Sequence, residues 1–219
     1  MPESASFSVR QKKANYRRRR TITVLVLIVA AVVVIALLSR GGGVGTKGKA
    51  TPTLAFVASV RTVSQGKTPD GGSVKTNGDA VVKMFDDYYQ RAFVDPSKWG
   101  NGQFPELKTL FSQKAQTTFT KDLNSLTIGE ARTELKRVDP IPSSLVVTVY
   151  YDTRSNATLA VATASFNANG TLNQAGPPLV IHQKGTFYLE RVGSAWSITA
   201  YDASQTQETP TPTPTASPT

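Results

Sequence analysis

Hydrophobic and polar positions along the chain fall into three successive regimes. The first regime is a run of nineteen uncharged residues, Thr21 to Ser39, almost all Val, Leu, Ile and Ala. As a helix rising ~1.5 Å per residue it measures roughly 28 Å, close to the ~30 Å hydrocarbon core of a bilayer. The run predicts a transmembrane helix over 21–39, because lipid leaves a single segment no other way to satisfy its backbone. Arg10, Lys12, Lys13 and Arg17 to Arg20 precede it, and only Arg40, Lys47 and Lys49 follow closely. This asymmetry places residues 1–20 in the cytoplasm and the rest outside. The run exceeds a signal-peptide core and ends in Leu37-Leu38-Ser39-Arg40 without a small-x-small site, so it reads as an uncleaved anchor.

The second regime is helical. Residues 40–77 read as a flexible juxtamembrane linker opening on Gly41-Gly42-Gly43-Val44-Gly45, in which 53–63 fits a short strand or a segment lying on the domain. Thr76 to Asp79 supplies capping side chains. Val81, Phe85, Tyr88 and Ala92 then recur on one helical face, with Lys83, Asp86, Asp87 and Gln90 expected in solvent. Pro96 closes the helix. Pro105 suits a first helical turn. Leu107, Leu110, Phe111, Ala115, Phe119, Leu123 and Leu126 continue an apolar stripe up to Gly129.

After Gly129 the period becomes two. Glu130 to Val138 reads as a strand ended by Pro140 and Pro142. Leu145, Val147, Val149 and Tyr151 alternate with Val146, Thr148 and Tyr150, and Leu159, Val161 and Thr163 alternate with Ala160 and Ala162. Asn167 to Gly176 reads as a polar loop carrying Asn169-Gly170. Leu179 to Arg191 and Trp196 to Tyr201 flank Gly193-Ser194 as a hairpin, and Gly185 suggests a bulge. The predicted class is α+β: one N-terminal transmembrane helix, then a domain over 78–204 with helices packed on a curved antiparallel sheet, then a disordered Thr/Pro-rich tail over 205–219.

Charge sharpens this division. Residues 1–49 hold ten Lys or Arg against one acid, Glu3, whereas residues 50–219 hold fifteen against fourteen acids. The basicity belongs to the anchor, where it serves topology and anionic headgroups, so no nucleic-acid partner is expected. The chain has no cysteine, which excludes disulfides, cysteine nucleophiles and thiolate metal sites.

Candidate chemistry is sparse. His182 is the only histidine and lies in an expected strand, without a catalytic motif around it. Asp86 and Asp87 are adjacent on a helix and point apart. Gly41 to Gly45 lacks the strand and helix of a phosphate loop. Asn156-Ala157-Thr158 and Asn169-Gly170-Thr171 match a glycosylation sequon by a short pattern.

The closing segment, Gly185-Thr-Phe-Tyr-Leu-Glu-Arg-Val-Gly-Ser-Ala-Trp-Ser-Ile-Thr-Ala-Tyr-Asp202, resembles the final hairpin of the NTF2-like (cystatin-like) fold, and the likeness extends over about Asp79 to Asp202. The arrangement of tail, anchor and external domain is similar to the Mce-associated membrane proteins of Gram-positive bacteria and to the inner-membrane assembly subunits of type IV secretion and conjugation systems. That resemblance implies a single-pass protein of the cell membrane, N-terminus cytoplasmic and domain extracytoplasmic. It further implies a non-catalytic interaction module that docks envelope proteins, with no enzyme activity, cofactor, metal or catalytic residue expected. The alternative is a domain that binds a small molecule or lipid in its cone, or, less favoured, an enzyme of this fold, for which Tyr88, Tyr89, Tyr150, Tyr188 and Asp202 are the candidates.

Overall fold

The computed structural model of the protein describes residues 51–209. The transmembrane expectation over 21–39, the basic tail 1–20 and the end of the Thr/Pro tail from 210 onward lie outside the described residues. Among the described residues no helix is long and apolar enough to cross a membrane.

The element order is strand β1 (Val57–Ser64), helix α1 (Gly71–Tyr89), three short helices α2 (Pro105–Lys108), α3 (Gln113–Phe119) and α4 (Leu123–Leu126), then strands β2 (Leu135–Tyr151), β3 (Ala157–Leu172), β4 (Leu179–Val192) and β5 (Ala195–Glu208). The five strands form one sheet in the order β1-β2-β3-β4-β5. β2 to β5 run antiparallel, and β1 joins β2 in parallel, with Val57 opposite Ser144 and Ser64 opposite Tyr151. A parallel neighbour requires a crossover, and the helices supply it.

α1 starts at Gly71, five residues earlier than the capping cluster at Thr76 suggests. Asp70 caps it, its carboxylate accepting from the Ser73 amide at 2.8 Å. Gly71 to Gly78 is poor in helix formers, so local propensity hides this turn and a side-chain cap secures it. Val81, Phe85, Tyr88 and Ala92 form the buried stripe as their spacing predicts, and Tyr89 is buried beside them. Past Tyr89 the helix widens into a π-helical turn, Gln90–Val94. It stops at Asp95, whose φ of −97° and ψ of 101° meet the restriction set by Pro96.

Asp86 and Gln90 depart from their expected solvent exposure. They hold the chain entering β1: the Gln90 side chain accepts from the Leu54 amide and donates to the Pro52 carbonyl, both at 2.9 Å, and the Asp86 carboxylate accepts from the Phe56 amide at 3.1 Å. These bonds set Leu54 and Phe56 into the core. Burial lifts the Asp86 carboxyl above its ordinary 3.8, against the opposing Phe56 hydrogen bond. A raised folded-state value makes the protonated acid the form the fold favours. Its stabilisation is complete below the unfolded value and is lost as pH rises through the folded one. Asp86→Asn keeps an acceptor for Phe56 and removes the charge. It is expected to leave stability at pH 7 equal or higher, within about 0.5 kcal/mol. The advantage should vanish in melts near pH 3, and a clear fall in melting temperature at pH 7 would contradict this account.

β2 is one strand where the prolines suggest an end. It passes through Pro140 and Pro142 with a register irregularity between Ile141 and Ser144. β1 covers β2 only from Ser144 onward, so the prolines lie on a free edge where a missing amide costs no ladder bond. The stretch from Gly129 to Thr133 is a 3₁₀ turn and not the start of that strand. Asn169-Gly170 likewise lies inside β3, opposite Val138 and Asp139, and not in a loop. The β4–β5 hairpin turns at Gly193-Ser194, with Gly193 at φ +62°. Gly185 is not a bulge, for it pairs regularly with Ala164 and Ala203. The irregularity falls between Tyr188 and Leu189, and Gly185 instead leaves room for the Phe187 ring, which a Cβ would meet at 2.6 Å.

Candidate functional site

The inner face of the sheet meets the helices, and the side chains there fit by size. β3 presents Ala160, Ala162, Ala164 and Ala168 inward, while α1 answers with Phe85, Tyr88 and Tyr89. Large rings thus lie against small strand residues, a pairing of sizes that suits close packing. Tyr89 stacks on Phe93 with ring centroids 5.4 Å apart, and Phe85 meets Phe187 edge-on at 5.0 Å. Phe111, Phe119 and Phe166 complete a closed aromatic interior.

Both candidate tyrosines of α1 are committed within it. The Tyr88 hydroxyl donates to the Leu126 carbonyl at 2.5 Å, and the Tyr89 hydroxyl donates to Gln183 Oε1 at 2.5 Å. Burial pushes both phenols far up, so they stay protonated. Asp202 is exposed, opposite Thr186 on the outer face of the sheet, and Tyr150 and Tyr188 share that face. The fold therefore separates Asp202 from Tyr88 by the thickness of the sheet. His182 is also outside, its Nδ1 2.7 Å from Asn167 Oδ1. Asp87 pairs with Lys83 at 3.2 Å in solvent, on a different side of α1 from Asp86. Among the described residues no group of His, Cys, Asp and Glu could hold a metal ion.

One tyrosine–acid pair escaped the sequence reading. Tyr201, at the rim of the interior beside Phe111, donates to Asp122 Oδ2 at 2.8 Å. Burial first, and the neighbouring carboxylate with it, push the phenol up to about 12. The phenol is therefore a fixed donor that ties β5 to α4. Sequence offers no signal for it, because its partner is seventy-nine positions away.

The outer face carries an apolar patch. Opposite one another across β1, β2 and β3 stand Val63, Tyr150 and Leu159, and Tyr188 lies opposite Val161 in the adjoining row. Val63 is 44%, Tyr150 36%, Leu159 47% and Tyr188 47% exposed. Arg61, opposite Thr148 at the edge of the patch, pairs with no carboxylate among the described residues.

No family model matches the chain, and no curated protein matches it. Among solved structures it is similar to the "Putative Scytalone Dehydratase" of Novosphingobium aromaticivorans DSM 12444, at 14% identity and a TM-score of 0.45, over 65% of this chain and 93% of that one. The domain is a mixed α+β structure with helices on a curved five-stranded sheet. This comparison corrects one expectation, that the chain is not an enzyme: the similar chain carries an enzyme's name. At that identity and score the likeness assigns no activity and no residue role here.

Proposed function

We propose that the chain is a single-pass membrane protein whose extracytoplasmic domain docks a protein partner of the cell envelope through the outer face of its sheet. The observation that carries this reading is the pairing of a filled interior with an apolar patch turned outward. The interior positions are occupied by the fully buried rings of Phe85, Tyr88, Tyr89, Phe166 and Phe187. Val63, Tyr150, Leu159 and Tyr188 are adjacent on the opposite face, and contiguous exposed apolar surface marks interaction sites. The patch with Arg61 at its edge suits a folded partner that offers apolar side chains and an acid. The uncharged run at 21–39 and its basic flank support the anchor, and the resemblance to Mce-associated and type IV secretion membrane subunits supports an envelope setting.

The test is co-purification from native membranes of full-length protein carrying a photo-crosslinker at Val63, at the edge of the patch. A discrete envelope protein is expected, identified by its mass and confirmed by a reciprocal crosslink from its own surface. Leu159→Glu and Tyr188→Glu should each reduce its recovery by roughly tenfold, since buried apolar anchors dominate interface energy. Their melting temperatures should stay near that of the parent, because both side chains are already exposed. Undiminished recovery in both variants would overturn the proposal.

A further inference from the structure

A second surface feature stands apart from the apolar patch and does not rest on its role. Three elements converge at the end of the sheet where β2 turns into β3 and β4 into β5. α1 contributes Ser73, Thr76 and Asn77, the β2–β3 turn and the start of β3 contribute Ser155 to Thr158, the end of β4 contributes Arg191, and the β4–β5 turn contributes Gly193. Together they line a cleft of about 610 Å³. That volume suits a small molecule, but the lining is unlike an ordinary apolar ligand pocket. Apart from Ala157 and Gly193, every lining side chain is a hydroxyl, an amide or the guanidinium.

Arg191 is the only charged group in the lining, and its surroundings hold it in place without neutralising it. One terminal nitrogen donates to Asn77 Oδ1, and Nε donates to the Gly193 carbonyl at 3.4 Å. The guanidinium lies 5.8 Å from the centre of the Trp196 ring. Asn77 is buried and fixed in turn, its amide donating to the Ser73 carbonyl at 2.9 Å and to the Tyr151 hydroxyl at 3.3 Å. Among the described residues no carboxylate pairs with Arg191. Glu190, next to Arg191, is exposed on the outer face of the sheet opposite Leu159, and two further acids are engaged elsewhere. Asp79 pairs with Lys75, and Asp152 accepts from the Arg154 and Asn156 amides of its own turn, both at 2.8 Å. Those bonds, the one from Asn156 foremost, hold the Asp152 carboxyl below its usual range, so its charge is already satisfied.

A planar cation fixed by neutral partners, with N–H donors left over, is shaped to receive an oxyanion. The hydroxyls and amides around it are shaped to receive further hydroxyls. We propose that this cleft binds a small polyhydroxylated molecule bearing one carboxylate or phosphate, as in a sugar acid or a sugar phosphate. Arg191 takes the anionic group, and Thr76, Asn156 and Thr158 face the hydroxyl-bearing body.

The test uses the purified full chain in detergent, titrated calorimetrically with glucuronate, glucose 6-phosphate, glucose and inorganic phosphate. At least one of the two charged sugars is expected to bind, and which of them binds distinguishes carboxylate from phosphate as the source of the anion. Glucose and inorganic phosphate should each bind roughly tenfold more weakly or worse, as the loss of a charge-assisted bond or of the hydroxyl contacts predicts. Arg191→Gln should abolish the preference for the charged sugar over glucose, and Arg191→Lys should restore part of it. Thr76→Trp, at an exposed helix position, should block the cleft with an unchanged melting temperature, which keeps the test independent of any folding defect at Arg191. Three results would each overturn the proposal: no binding of either charged sugar, inorganic phosphate binding as tightly as they do, or parental affinity in Thr76→Trp.

Discussion

Phe85→Ala is expected to destabilise the domain by about 3–5 kcal/mol, the range for removing a fully buried ring. Phe85 is wholly buried, with its ring centroid 5.0 Å from Phe187, 6.3 Å from Tyr88 and 6.4 Å from Tyr89. The cost belongs at the upper end of that range for a structural reason. The β3 residues that flank Phe187 on the inner face are small, Ala160, Ala162 and Ala164, and cannot swing into the gap, and the neighbouring rings are held by stacking and hydrogen bonds. For a domain of this size each kcal/mol moves the midpoint by roughly 2–4 °C, so a fall of roughly 6–20 °C is expected in thermal melts. A loss below about 1.5 kcal/mol, under the whole range for such a truncation, would mean that the interior is loosely filled. It would return the cone to consideration as a ligand site.

Tyr89→Phe tests the polar connection between α1 and β4 inside this interior. The hydroxyl donates to Gln183 Oε1 at 2.5 Å, and Gln183 Nε2 reaches the Ser125 carbonyl at 3.3 Å. Gln183 sits on the inner face of β4 with no solvent exposure, so its oxygen has no water to turn to when the phenol is lost. An unsatisfied buried acceptor costs about 1–3 kcal/mol. The double variant Tyr89→Phe/Gln183→Leu removes that acceptor as well. Urea melts of the four proteins in the cycle should show coupling of at least about 0.5 kcal/mol, with the double variant less unstable than the sum of the singles. Strict additivity would mean that Gln183 finds another donor, and that the Tyr89 hydroxyl does not link α1 to β4 energetically.

Much of the helical layer was legible because its signals are local. The stripe Val81, Phe85, Tyr88, Ala92 repeats within four turns, and the restriction before Pro96 is a property of two residues. The hairpin at Gly193-Ser194 was legible for the same reason. Illegible features depend on neighbours far along the chain. Pro140 and Pro142 read as a strand end until β1 is seen to leave that edge of β2 uncovered. Asp86 and Gln90 read as solvent-facing until the segment from Pro52 to Phe56 lies over them.

The candidate sites were harder still. Alternation in β3 announces two faces, Ala160 and Ala162 on one and Leu159 and Val161 on the other, and hydrophobicity alone would bury the larger pair. The structure buries the alanines, because the aromatic rings of α1 already occupy the volume and only small strand residues fit beneath them. Leu159 and Tyr188 are thereby turned outward, and the patch exists as a consequence of packing on the other side of the sheet. Arg191 and Asn77 meet across one hundred and fourteen positions, and no local pattern joins them. By itself the sequence determined the α+β class, the helix faces and the strand alternation, since these follow from periodicity and from backbone restrictions at proline and glycine. Only the tertiary structure decided which face of each strand is covered and which polar groups share a cleft, since both depend on long-range fit between side chains.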